Sequence, residues 1–398
     1  MECHGTTNAE HAIKAFARWR NAIGGTSTVK GLQEYLVLLS ISETCKSKGI
    51  RALALGVTTD NTIIVDIAVE YCDAIRLRVR LYPGSAALRY DGPPGCLYAQ
   101  NSMSTRILLL PIQRTVSLEA ALASTSANPI VVTDCIVDGV ETWEPQPWGW
   151  RTNLDGRTIL NIDHHAEAER FFRPVSSGNL AIQYVGLQGR LPDGVPAVIN
   201  HTDCDSILSA AILTGLLPPN DEFGAAVVAA DHTGEPNAIA DLLQALDPLR
   251  SIGLSLRNLN LLLTGVPLEA SAVELLQKRD AERQRAAELV NSGAFQTFGS
   301  VAVAQLSAGD RISGEFLPTL LPGAAVIISA SPMENGRWET KVRLGPGARI
   351  GETLFSLGVK HWEPNFAGRW NAGSTRRSGG SMTDPIFLAR QINEGLAR

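Results

Sequence analysis

The sequence is poor in the features that usually place a chain quickly. Its six cysteines, Cys3, Cys45, Cys72, Cys96, Cys135 and Cys204, show no CxxC spacing. That argues against both a zinc ribbon and a disulfide framework, and leaves reduced thiols as the simpler reading. No uncharged apolar run approaches the roughly 18 residues of a membrane span, and the opening "MECHGTTNAEH" lacks the basic and apolar regions of a secretory signal. A soluble, cytoplasmic protein with no membrane partner is expected. Basic charge is in deficit, 35 Lys and Arg against 40 Asp and Glu for a net −5. This excludes the broad positive footprint that holds long nucleic acid, so any phosphate contact must be local.

What is present points to folded domains. With 44% hydrophobic and 19% charged residues the chain can bury large cores, and 398 residues are too many for one. Apolar positions at helical spacing in residues 8–47, broken by Gly24-Gly25, predict two helices. The runs "RALALGV", "NTIIVDIAV" and "AIRLRVRLYPG" then predict a small antiparallel sheet, closing an N-terminal α+β domain at 1–125. From residue 126 the runs become near-continuous in Val, Ile and Leu: "PIVVTD", "RTILNIDHH", "PAVINHTDCD" and "AAVVAADH". Strands of that kind are buried on both faces, so 126–267 is expected to be an α/β domain with a largely parallel sheet. A charged amphipathic helix over 268–292 then leads into a smaller α+β domain, the whole spanning 268–398, with an Asn335-Gly336 hairpin signal and a last helix near 384–397. The sequence is compatible with a homo-oligomer and does not specify one.

Histidine is scarce, seven in the chain, yet His164, His165, His201 and His232 all fall at predicted strand ends beside aspartates. In parallel sheets the carboxyl ends of strands share one crevice, where ligands bind. The acids in the same positions are Asp134, Asp163, Asp203, Asp205 and Asp231. Read as a strand extension, the alternate spacing of His201, Asp203 and Asp205 turns all three to one side and Cys204 away. Five aspartates in one crevice repel one another unless cations neutralise them. Imidazole and carboxylate without thiolate suit Mn²⁺, with Mg²⁺ or Fe²⁺ as alternatives. Two such ions about 3.5–4 Å apart could share a carboxylate and a nucleophilic hydroxide. His232 is the weakest of the group, because Asp231 alone could ligate.

The "IDHH" of 162–165 and the "NHTDCDSILSA" of 200–210 resemble two signatures of the DHH phosphoesterase superfamily. The resemblance implies a parallel-sheet catalytic domain with two Mn²⁺ ions. It places His201 and Asp203 on one metal, His164 and Asp205 on the other, Asp134 bridging and Asp231 completing the second site. It also sets His165 beside the scissile phosphate. The order departs from that family: the HxDxD-like block normally precedes DHH, and here it follows.

The stretches "KVRLGPGARIGETLFSLG" and "FAGRWNAGSTRRSGGS" resemble the substrate domain associated with DHH proteins, without its usual GGH. Glycines let a backbone approach an anion and arginine forks bind phosphate. Arg376 and Arg377 are therefore candidate catalytic groups with His165. Arg369, Asn371, Gly373, Gly379 and Gly380 are candidate substrate contacts, with Arg343 and His361 weaker ones. The function expected is a metal-dependent hydrolase that cleaves a phosphoester or phosphoanhydride in a small anionic substrate, a nucleotide or a short oligonucleotide. The alternatives are a dinuclear-metal hydrolase of a non-phosphate metabolite and a non-catalytic ligand-binding protein.

Overall fold

The computed structural model describes strands within residues 52–90 and, apart from residue 114, all of 106–397. The two helices predicted in 8–47 lie outside the described residues. The chain divides into two compact units, 1–99 and 100–398. In the first, β1 (Ala52–Thr59), β2 (Thr62–Val69), β3 (Arg76–Leu81) and β4 (Arg89–Tyr90) form an antiparallel sheet in sequential order.

The second unit holds two six-stranded sheets. The first is built from β5 (Ile107–Leu109), β7 (Ile130–Thr133), β9 (Glu144–Gln146), β10 (Gly149–Leu154), β11 (Arg157–Ile162) and β12 (Ala197–Ile199), in the order β5-β12-β7-β11-β10-β9. The four strands β5, β12, β7 and β11 are parallel, and β10 and β9 close one edge as an antiparallel hairpin. A short parallel pair, β6 (Val116–Ser117) with β8 (Val137–Asp138), lies beside α1 (Leu118–Ser124). Side chains alternate between two cores. Val131, Ile162, Ala197 and Ile199 pack with α2 (Ser177–Gln188) and α3 (Cys204–Leu213). Ile130, Val132, Ile159 and Val198 pack on the other face with Val116, Ala121 and Val137. Burial on both faces is why these strands read as unbroken aliphatic runs. The sheet takes its first strand from 107–109, upstream of residue 126.

One sequence expectation is overturned here. The "AAVVAADH" run is not a strand: it is α4 (Asp221–Val228), continued by a π-helical turn, Ala229–Thr233. The Asn220 side chain accepts from Glu222 N–H, and Asp221 and Glu222 follow in the first turn. These are helix-start signals that outweigh two adjacent valines. A second expectation also changes: β12 stops at Ile199, so His201, Asp203 and Asp205 do not alternate along a strand. Asp203 caps α3 and Asp205 lies in its first turn.

Helices α5 (Ala238–Leu246), α6 (Ile252–Leu263) and α7 (Ala270–Asn291) lead to the second sheet. This comprises β13 (Gln296–Phe298), β14 (Val301–Gln305), β15 (Val326–Pro332), β16 (Trp338–Leu344), β17 (Ala367–Gly368) and β18 (Ala372–Ser374), ordered β13-β14-β15-β16-β18-β17. Only β14 and β15 pair in parallel. Val303, Ile328 and Val342 face α10 (Pro385–Leu396), whereas Ala302, Ala304 and Ile327 face α7 and α8 (Leu317–Leu320). The four-residue α9 (Val359–Trp362) precedes the β17–β18 hairpin.

Charged α7 owes its place to a buried cation. Arg279 donates to Asp241 at 2.9 Å and Glu315 at 2.8 Å, and Arg279 and Arg283 lie 4.7 and 4.6 Å over the Phe316 ring. Removing the cation leaves Glu315 without this partner and Asp241 with Arg283 alone, at a cost of about 3–5 kcal/mol for a buried pair. Arg279→Ala should therefore lower Tm by several degrees in a thermal melt, and an unchanged Tm would show that α7 is held by apolar packing alone.

Candidate metal centre

The carboxyl ends of β7, β11 and β12 and the amino ends of α2 and α3 meet in one crevice. Asp134 follows β7 in a left-handed conformation, φ 56°, which few residues other than Asn and Asp adopt with a side chain. That turn leaves its buried carboxylate among hydroxyls: Ser177 Oγ donates to Oδ1 at 3.2 Å and Ser206 Oγ to Oδ2 at 2.6 Å. His201 Nε2 stands 3.1 Å from Asp134 Oδ2 and 3.4 Å from Asp203 Oδ2, while His164 Nε2 stands 4.0 Å from Asp134 Oδ1. His164 Nε2 is also 3.7 Å from Asp205 Oδ2 and 3.0 Å from Asp231 Oδ2. Asp134 thus sits between a His201–Asp203 group and a His164–Asp205–Asp231 group.

Neighbouring groups fix which imidazole atoms look inward. His164 Nδ1–H donates to the Val175 carbonyl at 2.6 Å, and His201 Nδ1 bonds the Asn200 side-chain oxygen. Both Nε2 atoms are thereby left toward the carboxylates, the arrangement that ligating histidines require. Asp205 is gripped by the start of α2, its oxygens accepting from Gly178 N–H at 2.6 Å and Ser177 N–H at 2.8 Å. Asp203 accepts from Ser206 N–H at 3.0 Å at the start of α3. Two helix amino termini thus point at the acids. From behind, Asp247 holds the intervening Thr202 through its N–H at 2.9 Å and its hydroxyl at 3.0 Å.

Asp163 is buried but turned to His165. Its oxygens accept from the His165 N–H at 2.9 Å and from Nδ1–H at 2.6 Å. His232 donates from Nε2 to the same Val175 carbonyl at 3.0 Å and accepts at Nδ1 from Asn371 at 3.2 Å. Burial, the strongest of its influences, lowers its pKa to about 3, so it is neutral.

Of the glycine-rich loop, Arg369 and Asn371 reach this crevice. Arg369 Nη2 lies 3.1 Å from Asp231, and Nη1 lies 3.0 Å from His164 Nε2 and 2.5 Å from His165 Nε2. Gly373 serves packing: a Cβ there would stand 2.3 Å from the Phe366 ring. Gly379 and Gly380 take left-handed conformations after the turn at 376–378. That turn carries Arg376, 3.6 Å from Glu339, and the exposed Arg377. Among the described residues no hydrogen bond or ion pair joins either arginine to the Asp/His cluster. His361 packs edge-on against Trp362, ring centroids 4.5 Å apart.

The electrostatics fit cations. Burial opposes charge on every acid here, yet His201 keeps Asp134 ionised and Arg369 keeps Asp231 ionised, both below the usual carboxylate range. His201 also lowers Asp203, but burial first, with Asp134 and Asp231, outweighs it and pushes Asp203 up to about 7. Asp205 is pushed well up by burial and by Asp134, Asp231 and Asp203. Burial works against charge on His201 as well, but Asp203 and Asp134 raise it to about 10. Ligand atoms of Asp134, His201 and Asp203 converge within 4.8 Å, as do those of His164, Asp231 and His232 and those of Asp134, His164 and His165. Four carboxylates in mutual repulsion, with two correctly oriented imidazoles, make a donor set that divalent ions would stabilise.

The positions that sequence reasoning missed are the supports: Val175, Ser177, Gly178, Asn200 and Ser206. Only "SSGN" at 176–179 carried a signal, that of a helix start, and Ser176 and Asn179 form a capping box there.

No family model matches this chain, and no curated protein matches it. Among solved structures it is similar to a pGpG-specific phosphodiesterase, PggH, from Vibrio, with a TM-score of 0.36 and 13% identity over 52% of this chain and 82% of that one. No helix among the described residues is long and apolar enough to cross a membrane.

Ligation requires Asp203 and Asp205 to lose their protons, so metal affinity should rise with pH through about 7. Without metal the sign is opposite. An acid whose pKa is raised from 3.8 contributes stability that is lost as pH rises through its folded value, and the His201 contribution persists until about pH 10. Melts with and without Mn²⁺ should show a larger Mn²⁺-induced rise in Tm at pH 8 than at pH 6. An equal or smaller rise at pH 8 would contradict the assignment of these two aspartates as ligands.

Proposed function

We propose that the chain is a metal-dependent hydrolase of the DHH phosphoesterase type, acting on a phosphoester or phosphoanhydride of a small anionic substrate such as a nucleotide or short oligonucleotide. The observation that carries this reading is the position of Asp134 between the His201–Asp203 and His164–Asp205–Asp231 groups. A carboxylate so placed can be shared by two cations. In this reading His201 and Asp203 hold one ion, His164, Asp205 and Asp231 the other, with Mn²⁺ preferred and Mg²⁺ or Fe²⁺ able to substitute. Two such ions supply Lewis-acid charge at the phosphoryl oxygens and lower the pKa of water.

The remaining work falls to the chain's own groups. Asp163 fixes the His165 ring through Nδ1, so that Nε2, which Arg369 Nη1 meets here, faces the phosphate once that guanidinium turns to the substrate, and there stabilises charge or hands a proton to the leaving oxygen. Arg369, which lies between His164, His165 and Asp231, turns its guanidinium to the substrate once cations take over the acids. Asn371, anchored to His232, orients the same substrate. Labour is divided: 126–267 supplies the ligands, and 268–398 supplies the cationic and amide contacts. Arg369 touches the cluster and, among the described residues, no hydrogen bond or ion pair joins Arg376 or Arg377 to it, which makes Arg369 the stronger candidate for phosphate contact.

A phosphoester panel assayed with Mn²⁺ and with a chelator tests the reading. Mn²⁺-dependent release of phosphate or nucleotide is expected, abolished by chelation, and no turnover of any phosphoester would overturn it. Arg369→Ala should keep its metal by elemental analysis and lose roughly ten- to a hundredfold in kcat/KM, the usual effect of deleting a charge-assisted hydrogen bond. Unchanged kcat/KM would remove Arg369 from substrate binding.

A further inference from the structure

Asp231 and His232 owe their places to a backbone form that seldom stands unaided. They lie on the π-helical turn Ala229–Thr233, which prolongs α4 and closes where Gly234 N–H donates to the Ala229 carbonyl at 2.8 Å. A π turn takes in one residue more than an α turn, so it swings the side chains along it by about one residue's rotation, roughly 100°. Ordinary α-helical winding of the same residues would carry Asp231 away from His164 Nε2, which it meets at 3.0 Å, and from Arg369 Nη2, at 3.1 Å. Such turns are rare, and a rare backbone form persists where its surroundings over-determine it.

Here the surroundings come from α7. Arg283 Nη1 donates to the Gly234 carbonyl at 2.6 Å, and Nη2 pairs with Asp241 in the first turn of α5. The guanidinium lies 4.6 Å over the Phe316 ring, which fixes its height. One planar group thus ties the residue that closes the π turn to the helix that follows. Gly234 itself is buried in a left-handed conformation, φ 69°, and a Cβ on it would stand 2.0 Å from the Glu315 carbonyl oxygen. That close approach seats the end of the turn on the Gly314–Phe316 segment. Arg279, one helical turn earlier on α7, shares Asp241 and Phe316 but donates to Glu315 in place of Gly234. Of these two arginines, then, Arg283 is the one that reaches the turn.

We propose that Arg283 is a positioning residue for Asp231: by clamping Gly234 it keeps the turn in its π form, so that α7 sets the geometry of the His164–Asp205–Asp231 group. The consequence for cations rests on the metal-dependent hydrolase reading, whereas the clamp can be tested without metal. In metal-free protein, well below Tm, Arg283→Ala should speed hydrogen exchange of the backbone amides at 230–234 by about tenfold or more, the effect of losing a charge-assisted hydrogen bond. Exchange in β7 and β11 should stay as in the parent. Arg283→Lys, which can still reach the Gly234 carbonyl, should restore part of the protection. Arg279→Ala, which loses stability but not this contact, should leave the turn within about twofold of the parent. Calorimetric Mn²⁺ titration then reads the site. Arg283→Ala should weaken one of two ions by roughly ten- to a hundredfold, the usual cost of removing a group that orients a ligand, and leave the other unchanged. If the parent takes up no Mn²⁺ but protection of the turn depends on Arg283, the clamp stands and the metal-dependent reading fails. Parental exchange at 230–234 in Arg283→Ala, the same loss of protection in Arg279→Ala, or faster exchange with both ions bound as in the parent overturns the proposal.

Discussion

The crevice is organised by a repulsion. Asp134 and Asp205 are buried, Asp203 and Asp231 are brought against them partly buried, and the fold offers the four too few permanent partners to ionise together. What it does offer is directional: two helix amino termini, a pair of serine hydroxyls, two imidazoles held by Nδ1, and one guanidinium from another sheet. These are enough to hold the carboxylates in place and too few to neutralise them. The residual negative charge, aimed inward, is what would make the site a receptor for cations.

That constraint explains the unusual local conformations. Asp134 accepts a left-handed backbone so that its carboxylate can lie between two histidines. The Val175 carbonyl accepts from both His164 and His232, so a single backbone atom turns the Nε2 of the first inward and anchors the ring of the second beside Asn371. Arg369 crosses from the second sheet to Asp231, which couples the carboxyl-terminal half to the state of the acids. In the proposed function a cation that relieved the acids would also release that arginine, linking metal binding to substrate gripping through one side chain.

Much of this was legible in the sequence, for physical reasons. Strands buried on both faces must be continuously aliphatic, so "PIVVTD" and "RTILNIDHH" gave themselves away, and the acids and histidines that follow them had to share an edge. The segments that misled were those where local signals compete. "AAVVAADH" has the composition of a strand, but its Asn220 cap and acidic first turn start a helix, and a π-helical turn then delivers Asp231 to His164. "HTDCD" has strand-like alternation, but Asp203 is a helix cap, so the acids meet through the first turn of α3 and not across a pleat. The partners of single residues were not legible at all. Nothing local says that Arg376 faces Glu339 or that Arg369 reaches across to Asp231, because each depends on how distant strands pack.

The central claim is that Asp134 is the shared ligand of two cations. It is tested most directly by anomalous diffraction at the manganese edge from crystals grown with Mn²⁺. The account predicts two peaks about 3.5–4 Å apart, both within ligand distance of the Asp134 carboxylate, one next to His201 and the other next to His164. A single peak, or two peaks that do not share Asp134, would contradict it.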